Sequence, residues 1–82
     1  MLALLRAPAL AVADLDGEHL STTFVTQLQA IDLFDLQEVA TAEEAEDLAA
    51  AGTVDAAFVI PKGFTASVEA GGLTTIEVIG FV

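Results

Sequence analysis

Five apolar side chains in succession, Ala56-Ala57-Phe58-Val59-Ile60, run up to Pro61 and Gly63 with no polar alternation. Together with Val54 and Asp55 before them, they predict a central strand over residues 54–60 with neither face meant for water. Strands of that kind belong to sheets covered by helices on both sides. Pro61 has no N–H to donate and holds Ile60 away from helical angles, so Pro61-Lys62-Gly63 is an exposed turn before Phe64 folds back.

The rest of the chain arranges itself around that run. Leu10-Ala11-Val12-Ala13 ends in Asp14-Leu15-Asp16-Gly17, the pattern of a buried parallel strand leading into a helix. Leu20, Phe24, Leu28 and Ile31 then form one helical stripe, with His19, Thr22, Thr23, Thr26 and Gln29 opposite and Asp16 or Ser21 as N-cap. Residues 34–39 alternate, as a half-exposed edge strand does. Thr41-Ala42-Glu43-Glu44 is a capping box whose helix turns Ala45, Leu48 and Ala49 inward and stops at Gly52. Residues 64–70 allow two helical turns, with Phe64 and Val68 inward, ended by Gly71-Gly72. Residues 74–79 make a last edge strand.

Right-handed crossovers place the first and third strands at the centre. The expected fold is therefore α/β, a small three-layer sandwich βαβαβ(α)β with sheet order 2-1-3-4. Only about two helical turns separate the last two strands, too few for a parallel crossover of a dozen or more residues, so the last strand is expected antiparallel.

With 82 residues the chain is one domain. Much of its 55% hydrophobic content is alanine, so the core is expected to be a short set of Leu, Ile, Val and Phe. The formal net charge of -11, from two basic and thirteen acidic residues, repels phosphate backbones and anionic lipid headgroups, which argues against a nucleic-acid partner. There is no cysteine, and His19 with carboxylates is too poor a set for structural zinc. No run of 18 apolar residues occurs, so the chain as given does not span a bilayer. Its oily start lacks the basic residues that open a signal peptide, and a cleavage site at Ala11-Val12-Ala13 would cut the first strand.

Several stretches invite a chemical reading. Asp14-Leu15-Asp16-Gly17 after an apolar strand resembles the first motif of haloacid-dehalogenase-type phosphatases. That resemblance would make Asp14 the nucleophile and Asp16 the acid/base. However, Glu18 stands where that family has threonine, and no later strand ends in paired acids to hold magnesium. The plainer reading has both aspartates capping the next helix. A receiver domain needs its phospho-acceptor at the end of the third strand, where this chain has Ile60-Pro61, and an EF-hand counted from Asp14 puts His19 in place of its glycine. His19 lacks triad partners, Lys62 reads as a solvated turn lysine, and Glu43, Glu44, Glu46 and Asp47 form an exposed acidic helix face. No catalytic, cofactor-binding or metal-ligating residue is assigned, and no cofactor is expected.

The order of these elements, and above all the series from Gly52 through Val54-Asp55-Ala56 and Val59-Ile60-Pro61 to Phe64, resembles the extracytoplasmic domain of ABC-2 type transporter permeases. That group includes the YhgE/Pip phage-infection-protein relatives. The resemblance implies a non-enzymatic domain at the cell membrane, on its extracytoplasmic side, contributing to assembly, gating or substrate and partner contact during export. Its implied partners are the remainder of the permease, the ATP-binding subunit and, as a further option, a second copy of the domain, with the membrane reached only through transmembrane segments absent here. On this reading residues 1–9 are an extension at a fragment edge following a removed transmembrane helix, and residues 10–82 are the domain. The alternatives are a small soluble partner- or ligand-binding α/β domain and, third, a phosphatase fragment using Asp14 and Asp16.

Overall fold

The computed structural model describes residues 7–31 and 33–80. Its elements are β1 (Ala9–Asp14), α1 (His19–Ala30), β2 (Asp35–Val39), α2 (Ala42–Ala50), β3 (Ala56–Ile60), α3 (Phe64–Glu69) and β4 (Glu77–Ile79). They form one sheet ordered β2-β1-β3-β4, with β1 parallel to both β2 and β3, and β4 antiparallel to β3. The expected layering and strand order are both present. β4 is shorter than expected, three residues rather than six.

Alternation along β1 and β3 divides the core in two. Ala11, Ala13, Ala57 and Val59 point to one face, where they pack with Val54 and with Ala45 of α2. Val12 and Ile60 point to the other, where Val25 of α1 completes the buried set and Phe24, Leu28, Leu36, Phe58, Phe64 and Ile76 surround it. The first of these faces departs from the expected Leu, Ile, Val and Phe core. Ala11, Ala13, Ala45 and Ala57 are fully enclosed, because small side chains on both surfaces let α2 lie close to the sheet. The second face carries the bulk, and there Phe58 is only half-buried while Ile60 is fully enclosed.

α1 is rotated relative to the expected stripe. Ser21 and Val25 are its buried residues, Leu20, Phe24 and Leu28 flank them, and Ile31 lies outside the helix as an exposed C-cap residue. Ser21 lies inside the helix, its hydroxyl donating to the Glu18 carbonyl at 3.1 Å, so it is not the N-cap. In α3, Phe64 reaches the core, but Thr65 is the buried residue and Val68 is exposed.

α2 starts as expected, with the Glu44 N–H donating to Thr41 Oγ1 at 3.0 Å. The Glu44 carboxylate reaches one residue further back than a standard capping box, accepting from the Ala40 N–H at 3.1 Å. Past the end of α2, Gly52 adopts φ 75°, the left-handed stop its position predicts.

Ile60→Ala should lower stability by about 2 to 5 kcal/mol, because the site is closed on all sides. Val78→Ala, at a residue 64% exposed, should stay within about 0.5 kcal/mol. Urea denaturation midpoints compare the two, and equal shifts would contradict the two-sided burial of β3.

Candidate functional site

The chemistry-bearing residues gather at the C-terminal edge of β1 and β3, where register pairs Asp14 with Ile60. Asp14 Oδ1 accepts from the N–H groups of Asp16 at 3.1 Å and Gly17 at 2.9 Å, closing the loop after β1. Asp16 turns the other way. Its Oδ2 accepts from the Thr65 hydroxyl at 2.7 Å, the Thr65 N–H at 3.3 Å and the Glu18 N–H at 3.3 Å. Thr65 Oγ1 in turn accepts from the Leu20 N–H at 3.2 Å.

This is a reciprocal cap. The N-cap positions of α1 and α3 are Glu18 and Gly63, and neither supplies a side-chain cap of its own. Each helix takes one from the neighbouring loop or helix instead. Asp16, ahead of α1, satisfies a first-turn N–H of α3, and Thr65, in α3, satisfies a first-turn N–H of α1. Thr65 and Ser21 are buried polar residues at this junction, and no buried side-chain nitrogen or oxygen among the described residues lacks a partner. Desolvation pushes the Asp16 carboxyl up. The bonds from the Thr65 hydroxyl, the Ser21 hydroxyl, the Thr65 N–H and the Glu18 N–H outweigh it and hold Asp16 below the ordinary carboxylate range. The Ser21 hydroxyl has one proton to give, to Asp16 or to the Glu18 carbonyl.

At the rim, His19 Nε2 lies 2.8 Å from Glu69 Oε2, joining the start of α1 to the end of α3 through two exposed side chains. Lys62 is exposed on its turn, and Glu43, Glu44, Glu46 and Asp47 line the outside of α2. Asp14 and Asp16 thus lie on the edge where a phosphatase would place them, but the hydrogen bonds they accept come from their own loop, α1's N-cap and α3. Among the described residues no group of three or more His, Asp or Glu side chains is placed to hold a metal ion. Thr65 is the residue that sequence reasoning missed. The available signal was a helix opening at Gly63, with no capping side chain at that position and a threonine two residues on.

Residues 5–80 match the family described as ABC-2 family transporter protein. The chain belongs to that family. No curated protein and no solved structure matches it. Membership in the ABC-2 family makes the segment part of a transporter's membrane component, a kind of protein that works with an ATP-binding subunit and is not generally catalytic. No helix among the described residues of this ABC-2 segment is long and apolar enough to cross a membrane.

Thr65→Val keeps the shape and removes the hydroxyl, leaving the Leu20 N–H and Asp16 short of a partner. It should cost about 1 to 3 kcal/mol in urea unfolding, and an unchanged midpoint would show that the reciprocal cap does not hold the helices. Asp16 has a folded pKa below its unfolded value, so its stabilisation is present above the unfolded pKa of about 3.9 and is lost as pH falls through the folded one. The melting temperature of the wild type should therefore exceed that of Asp16→Asn at neutral pH, with the gap closing as pH falls below the unfolded pKa and through the folded one. A gap of constant size would contradict the assignment.

Proposed function

We propose that this chain is the extracytoplasmic domain of an ABC-type exporter permease related to the YhgE/Pip group. In this reading it is non-catalytic and contributes to assembly, gating or contact with a substrate or partner outside the membrane. The observation that carries the proposal is a contrast. The family is one of membrane components, yet the stretch it matches folds as a layered α/β domain with carboxylates over its surface. Such a surface is costly to place in hydrocarbon, so the segment belongs to a part of the permease that stands in water. The extracytoplasmic side follows from the resemblance carried by the series from Gly52 to Phe64.

The hydrogen bonding of Asp14 and Asp16 supports the non-catalytic reading, since both carboxylates serve the loop and the reciprocal cap. The family supports two partners, the rest of the permease and its ATP-binding subunit, and a second copy of the domain is a further option. In this proposal residues 10–82 are the domain and residues 1–9 lead into it from a membrane span, with β1 beginning one residue before that boundary, at Ala9.

Lys62 is exposed, and this chain contains no cysteine, so Lys62→Cys in a full-length protein lacking other cysteines gives a unique label site. A membrane-impermeant maleimide should modify it in intact cells. Modification only after the membrane is opened would place the domain on the other side and end the proposal.

A further inference from the structure

The two ends of the described chain leave the sheet at the same edge. Residues 8 and 9 are fixed beside the starts of β2 and β3: the Asp35 N–H donates to the Pro8 carbonyl at 2.8 Å, and the Asp55 N–H donates to the Ala9 carbonyl at 2.7 Å. The Ala9 N–H donates to Asp55 Oδ2, also at 2.7 Å. Because β4 runs antiparallel, it ends where β3 begins. Gly80, at φ 155°, lies so close that a Cβ there would come within 3.1 Å of the Asp55 carbonyl oxygen and the Ala56 Cα. A side chain there would combine a strained φ with a tight contact, so glycine suits that approach. With β3 between them, the incoming and outgoing segments are two strand spacings apart, roughly 10 Å.

Charge divides along the same axis. The edge that holds residues 8, 9, 55 and 80 carries Asp35 and Asp55, at the starts of β2 and β3. The opposite edge carries Asp14, Asp16 and Glu18 after β1, and Glu43 and Glu44 in the first turn of α2, the helix that follows β2, with Lys62 after β3 offsetting one of these charges. β1 has six residues, which at about 3.3 Å each separates the edges by roughly 20 Å. That exceeds a Debye length of about 8 Å at physiological salt. The acid-rich edge is repelled when turned towards an anionic bilayer and screened from it when turned away.

Resting on the permease reading, we infer that the domain stands on end. The edge formed by the starts of β1, β2 and β3 and by Gly80 faces the bilayer surface, and the edge carrying the Asp14-to-Glu18 loop, the reciprocal cap and Lys62 faces away from it. The membrane-distal edge is then the surface open to a substrate or partner.

Thr53 and Lys62 are exposed residues at opposite edges, before and after β3. Single cysteines at these positions in the full-length protein, carrying an environment-insensitive fluorophore, are reconstituted into phosphatidylcholine and phosphatidylglycerol vesicles containing a headgroup-nitroxide lipid. Emission from Thr53→Cys should be quenched, and emission from Lys62→Cys should stay at its level in vesicles without nitroxide. Quenching at Lys62→Cys alone, or equally at both positions, overturns the orientation while leaving the permease reading intact. Protein that stays out of the vesicle fraction, with neither label quenched, overturns both.

Discussion

β1 and β3 have no side that can face water, and that constraint organises the molecule. A strand enclosed on both faces needs cover above and below, and here α2 provides one layer and α1 with α3 the other. In a chain of 82 residues there is little material for this cover. The cover is achieved unequally. One face is closed by alanine against alanine, so that a short helix lies near the strands, and the other is filled by valine, isoleucine and phenylalanine beneath two helices.

The thicker layer needs more than apolar contact, because α3 is only six residues long and could not persist alone. The exchange of caps between Asp16 and Thr65 compensates for that shortness. Each helix start depends on the other, so the loop after β1 and the turn after β3 act as one unit. This is why two aspartates at the end of a parallel strand, a placement that invites a catalytic reading, serve here as structural acceptors.

Local patterns carried most of the architecture. Uninterrupted apolar runs marked β1 and β3, alternation marked β2, a capping box marked α2, and the short connection before β4 determined its direction. Less legible was anything decided by contact between distant parts of the chain. Thr65 and Asp16 are 49 positions apart, and no periodicity links them. The rotation of α1, which buries Ser21 and Val25 while Ile31 is left exposed, depends on where α3 packs. The weight of alanine in the core was hidden because a single alanine buries little; its value lies in how closely it lets two surfaces approach. The resemblance rested on the fold-defining series from Gly52 to Phe64, and the family match covers that stretch.

The outer strands have a consequence for how copies of such a domain could meet. β2 and β4 are the open borders of the sheet; one is five residues long with Asp35 and Glu38 exposed, the other three residues long with Glu77 exposed. Brief borders studded with carboxylates are poor templates for strand addition, since a facing border would bring like charges together along an unpaired backbone. Strand addition is thus disfavoured at both borders, which leaves loops and helices as the surfaces better suited to contact.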